Sequence, residues 1–185
     1  MAGLRLTSSQ MRQHGGREAE RQGALRPTVA AAMVMLAGEP TGMLLDPCCG
    51  SGTILAEAMT AGWKAEGPDI DPAAVRAARH NVPRAAVREG DARHLDQPDG
   101  SVGACVSNLP FGRQYGVQGS MEDWLAAVLG EMTRVTRPGG RIVLLAPEIP
   151  HEAVPPGLRL QKRFRPRLLG IPSIVWVYDR RETAS

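Results

Sequence analysis

Between Leu25 and Tyr178 the apolar residues alternate between short runs and helical spacing, with glycine or proline near most of the changeovers. Pro27 and the run TVAAAMVMLA after it predict a buried or amphipathic helix over Thr28–Ala37, stopped by Gly38 and Pro40. The strand Met43–Leu45 follows. It leads through Asp46 and a loop holding Gly50 and Gly52 into a helix over Thr53–Ala61, closed by Gly62. Lys64–Asp69 reads as a second strand, and Asp71 before Pro72 as a helix start, because a carboxylate there accepts free amide hydrogens of the first turn. That helix runs to about His80. Ala85–Glu89 and Val102–Ser107 read as further strands, Met121–Thr136 as an amphipathic helix, and Arg141–Ala146 as a fifth strand after the turn Pro138–Gly140.

Strands that alternate with helices specify a mainly parallel sheet with helices on both faces. No helix separates Leu158–Phe164 from Ile174–Tyr178, so these two strands are expected to form an antiparallel hairpin at a sheet edge. Residues 1–23 are polar and without periodicity, which predicts a flexible N-terminal arm before one domain over 24–185.

The chain has 185 residues and is 43% hydrophobic, enough for one sizeable core. Without a long apolar run or a secretory signal, a cytoplasmic protein is expected, with no membrane partner. Three cysteines, two of them adjacent at Cys48 and Cys49, make neither a disulfide framework nor a zinc site, so no metal is expected. The net charge of +3 suits a nucleic-acid partner, although all basic residues except Lys64 and Lys162 are arginine, which compositional bias also explains.

In an open parallel sheet the ligand crevice lies at the carboxyl ends of the strands, where the loop Asp46–Thr53 falls. Gly50 and Gly52 allow a tight turn and close backbone approach, and the helix after them directs amides at a ligand. The dinucleotide fingerprint requires a third glycine where Leu55 stands, which disfavours a nicotinamide dehydrogenase, and a P-loop requires an absent Gly-Lys-Ser/Thr ending. An acidic strand tip before a glycine turn suits a ligand carrying positive charge and amino groups, such as S-adenosylmethionine. Asp69 at the second tip is placed for ribose hydroxyls. Asp91 at the third is placed for the adenine amine, with the Ala92 amide facing the ring. Asp71 reads as a helix cap only.

After the fourth strand come Asn108, Leu109, Pro110 and Phe111. An amine conjugated to a planar π system is a poor nucleophile, and it improves when both its hydrogens are held as the nitrogen becomes tetrahedral. The Asn108 side-chain oxygen and the Leu109 carbonyl are two such acceptors, with Pro110 rigidifying the turn and Phe111 stacking on the substrate. The sulfonium is already activated, so positioning and charge stabilisation suffice and no histidine or cysteine catalyst is needed.

These residues resemble the RNA guanine-N2 methyltransferases whose catalytic domain usually follows a THUMP RNA-binding domain, including the tRNA enzymes. The resemblance runs from about Gly23 to Ala146 through GALRPTVAAAMV, LLDPCCGSGTILAEA, GPDIDPAAVRAARHN, EGDAR and NLPFGRQ. It implies a Rossmann-like class I methyltransferase fold acting on guanine N2 in RNA, tRNA first. It further implies cofactor contacts from Asp46, Pro47, Cys49, Gly50, Gly52, Thr53, Asp69, Ile70, Asp91, Ala92 and Asn108. Pro27 and Thr28 would lie near the methionine end, and Phe111 and Arg113 against substrate.

The chain departs from that family's pattern in having no room for a THUMP domain before Leu25. A separate RNA-binding subunit is one expected substitute, and the arginine-rich hairpin around Arg159, Lys162, Arg163, Arg165 and Arg167 is another. Methylation of DNA adenine or protein glutamine is the alternative within the same chemistry. Trp124 and Trp176 are expected to pack in the core.

Overall fold

A computed structural model describes residues 25–110, 120–166 and 173–182. The helices are α1 (Pro27–Leu36), α2 (Thr53–Thr60), α3 (Pro72–Asn81) and α4 (Met121–Val135). The strands are β1 (Met43–Leu45), β2 (Lys64–Asp69), β3 (Ala86–Glu89), β4 (Val102–Asn108), β5 (Thr136–Ala146), β6 (Leu158–Phe164) and β7 (Ile174–Arg180). They form one sheet in the order β3-β2-β1-β4-β5-β7-β6. The first five strands pair in parallel, and β7 is antiparallel to both β5 and β6. The expected parallel sheet with a C-terminal hairpin is therefore present, with β6 at the edge and β7 inside.

Apolar side chains on the two sides of the sheet build two cores. One joins α1, α2 and α3 to Leu44, Ala104, Val106, Val143, Leu145, Val175 and Val177. The other joins α4 to Leu45, Cys105, Ile142, Leu144, Trp176 and Tyr178. α4 buries Leu125, Val128, Leu129, Met132 and Val135, a helical stripe in which Leu129 and Met132 are completely enclosed. Each such side chain contributes roughly 1.5–3 kcal/mol of apolar burial. Trp176 stacks on Tyr178 and donates its indole N–H to the Pro147 carbonyl, so it is a core residue as expected.

Asp71 caps α3 by accepting the Ala73 amide at 2.8 Å, with Pro72 opening the helix. Ser120 caps α4 in the same way. β5 differs from expectation by beginning at Thr136 rather than Arg141. Thr136 already has extended backbone and pairs with Val102, and Pro138–Gly140 forms an irregularity within the strand, with Gly139 at φ 72°. The N-terminal arm lies outside the described residues.

Candidate active site

Strand order reverses between β1 and β4. Chains leaving β1 and β2 cross towards β3, whereas the chain leaving β4 crosses towards β5. Such a reversal opens a crevice beyond the carboxyl ends of the two central strands. Asp46 follows β1 there and Asn108 ends β4, so residues 62 positions apart flank one crevice.

The glycine loop is fixed by main-chain and carboxylate bonds. Cys49 N–H donates to the Pro68 carbonyl at 3.1 Å, and Gly52 N–H to the Cys49 carbonyl at 2.8 Å. Asp69 accepts the Gly50 amide at 2.7 Å on one oxygen and the Asp71 amide at 2.9 Å on the other. One lone pair on each oxygen is left for ribose hydroxyls. Gly52 takes φ 85° just before α2, and a Cβ there would stand 2.9 Å from Val82 Cγ2. A Cβ on Gly50, by contrast, would meet nothing within 4 Å, which leaves open space over the loop. No side chain caps α2 and its first turn holds no acid, so the amides beginning at Thr53 keep their capacity for an anionic group.

Asp46 is 1% exposed. Burial pushes its carboxyl up to about 7, and nearby Asp69 adds to the rise; hydrogen bonds from the Ser107 hydroxyl at 2.7 Å and the Cys48 amide at 3.2 Å oppose it. The group is thus poised to ionise when positive charge arrives. Burial also raises the Cys48 and Cys49 thiols, and the Asp46 and Asp69 carboxylates add to this, so neither cysteine is a nucleophile. Cys49 instead packs against Gly67, where a Cβ would come within 2.6 Å of the Cys49 Cβ. Among the described residues no cluster of histidine, cysteine and acidic side chains is arranged to hold a metal.

Asp91 is bound by a neighbouring arginine. Both carboxylate oxygens are gripped by the Arg93 guanidinium, and Oδ1 also takes the Arg93 amide at 2.9 Å. These bonds hold its pKa below the usual carboxylate range, and an adenine amine would share an acceptor already in use. Ala92 is buried beside it, whereas Ile70, between Asp69 and Asp71, is 69% exposed and offers an apolar surface.

Asn108 is half-buried, and its side chain makes no hydrogen bond among the described residues. Leu109 is buried and donates its amide to the Leu145 carbonyl at 3.2 Å, which ties the corner to β5. Pro110 is the last described residue of the turn; Phe111 and Arg113 lie outside the described residues. Pro27 and Thr28 open α1. Arg141, where the regular ladder of β5 with β4 resumes after the irregularity, donates to the Leu36 carbonyl at the other end of that helix. The α1 start therefore points to the same end of the sheet as Asn108.

Two positioning residues escaped the sequence reading. Ser107 bonds Asp46 from β4, and the Asn81 side-chain amide, at the end of α3, donates to the Ser51 carbonyl at 3.0 Å. The expected cationic hairpin is also partly neutralised: Arg159 pairs with Asp179, and Arg163 and Arg165 with Glu148. Arg167 lies outside the described residues.

Known proteins are similar to this chain. The family described as RMKL-like, methyltransferase domain matches residues 14–153. The U6 snRNA (guanine-N(2))-methyltransferase of Bos taurus is 36% identical over 69% of this chain and 26% of its own length. The tRNA (guanine(6)-N2)-methyltransferase of Thermus thermophilus is 32% identical over 86% of this chain and 50% of its own. Among solved structures, TrmN from Thermus thermophilus superposes with a TM-score of 0.75 at 30% identity, over 86% of this chain and 50% of that one. A geranyl diphosphate methyltransferase in complex with SAM shares the fold alone, with a TM-score of 0.66 at 17% identity. The chain spans between a quarter and a half of the length of these curated relatives. With the class I methyltransferase sheet, the glycine loop and the asparagine corner all in place, the chain belongs to the RMKL-like methyltransferase domain family.

Proposed function

We propose that the chain transfers a methyl group from S-adenosylmethionine to the exocyclic N2 amine of a guanine in RNA, with tRNA the first substrate to test. The observation that carries this reading is the placement of the buried Asp46, the Asp69-anchored glycine loop and Asn108 around one strand-order reversal. Relatives named for guanine-N2 methylation of tRNA and of U6 snRNA support the choice of base.

The open space over Gly50 and the two carboxylates suit a ligand with a sulfonium, an ammonium and a ribose. When bound, that cofactor supplies an electrophilic methyl group. Asp69 and the loop amides would orient the ribose and methionine ends, with Pro27 and Thr28 beside the latter. Ile70 and Ala92 would flank the adenine, and Asp91 would bond it through whatever acceptor capacity Arg93 leaves. Asn108 Oδ1 and the Leu109 carbonyl would accept the two amine hydrogens as the nitrogen becomes tetrahedral, while Pro110 holds the turn. From sequence, Phe111 would stack on the base and Arg113 would meet its backbone.

The expected compartment is the cytoplasm, where the thiols of Cys48, Cys49 and Cys105 would stay reduced.

The test uses labelled cofactor and separated RNA, DNA and protein fractions. Label should enter RNA, and Asn108→Ala should lower kcat about 100- to 1,000-fold, as loss of a transition-state acceptor does, with binding of S-adenosylhomocysteine unchanged. Label found only in DNA or protein would overturn the RNA assignment.

A further inference from the structure

A row of paired residues runs across the sheet from Asn108. Asn108 pairs with Leu145, Leu145 with Val175, and Val175 with Phe164 on the edge strand β6. Residues in one such row share a face, and three spacings of roughly 4.8 Å put Phe164 about 14 Å from Asn108. Four stacking steps of roughly 3.4 Å along a nucleotide strand cover that distance.

Phe164 is 42% exposed, although it ends a strand whose residues after Leu158 are all exposed and mostly polar. A bulge between Leu160 and Lys162 resets the alternation, so Lys162 stands opposite Val177 on the same face as Phe164. Arg163 falls on the other face, its guanidinium 5.5 Å from the Trp176 ring centre. Arg165, 77% exposed, follows Phe164 and shares Glu148 with Arg163, while Asp179 serves Arg159. Asp179 also pairs with Arg141, so Glu148 and Asp179 are both shared, and Lys162 has no ion pair among the described residues. The bulge and the row of cations also oppose edge-to-edge pairing with a second copy of the chain.

We propose that this edge holds the RNA strand beside the target guanine. A base about four nucleotide steps from the target stacks on Phe164, and a phosphate meets Lys162 on the same face. The inference rests on the RNA-methyltransferase reading above and adds where the strand leaves the active site. An aromatic ring flanked by cations is the arrangement single-stranded nucleic acid uses without base-specific contacts.

The test is steady-state methylation of deproteinised tRNA by the full chain, together with the salt dependence of tRNA binding. Phe164→Ala should raise the tRNA KM about tenfold, with kcat and S-adenosylhomocysteine affinity unchanged, and Phe164→Trp should restore it. Lys162→Gln should reduce the slope of log affinity against log salt by about one. Wild-type KM and slope in both variants would overturn the edge surface and leave the proposed activity standing. Absence of any RNA methylation by the wild-type chain would overturn both. A wild-type dimer in solution that dissociates on Phe164→Ala would assign the edge to a second copy and overturn the RNA surface.

Discussion

Asp46 is a carboxyl kept from water and supplied with two hydrogen bonds but, among the described residues, no cation. Its pKa rises from 3.8 to about 7, so the folded protein retains a proton that the unfolded chain loses between those values. The stability this provides is complete below 3.8 and is lost as pH rises towards 7, by roughly 4 kcal/mol at most. Asp91, Glu131 and Asp179, with lowered values, act in the opposite sense and only at more acid pH. Urea unfolding should therefore show stability declining from pH 4 to 7, and Asp46→Asn should flatten that decline. If a sulfonium binds beside the ionised form, cofactor affinity should rise about tenfold from pH 6 to 8, with roughly half of the final gain reached at pH 7, and level off above that. Calorimetry at several pH values would show this, and a flat profile would remove Asp46 from the binding site. Asp46 itself was legible as an acid at a strand tip. Ser107 and Asn81 were not, because their partners lie 61 and 30 residues away and only the folded sheet brings them together.

Glycine 52 links two elements. Its φ of 85° disfavours any side chain, and an added methyl would press on Val82 where α3 ends. Gly52→Ala should cost about 2 kcal/mol, seen as a fall in Tm of roughly 4–8 °C. Arg134 has a comparable linking role in α4. It donates to the Leu95 and Gln97 carbonyls and pairs with Asp99 and Glu131, while Glu131 accepts the Leu95 amide. Arg134→Met would leave those carbonyls and Glu131 without their shared donor, and should destabilise the fold by about 2 kcal/mol in urea titrations. Most helices and strands could be read to within a residue or two, because Gly38, Gly62 and Asp71-Pro72 punctuate the pattern. The start of β5 could not. Pro138, Gly139 and Gly140 have the chemistry of a turn, and only pairing with Val102 shows that the strand begins before them.

For the molecule as a whole, the sheet order and the glycine loop together forecast which small molecules stabilise it. S-adenosylhomocysteine at 100 times its Kd should raise Tm by roughly 5–10 °C, whereas NAD should leave it unchanged, since Leu55 replaces the glycine that a pyrophosphate site requires. A rise with NAD alone would contradict the assignment. The alternating pattern disclosed a parallel sheet and a terminal hairpin, but not that the later hairpin strand would lie between β5 and β6. The place of β7 also governs how the chain can be made. During synthesis β5 emerges well before its antiparallel neighbour, and Val143 and Leu145 await Val177 and Val175. Until the ribosome releases those residues, the nascent chain carries a raw apolar margin, and that interval is when this sheet most needs a chaperone.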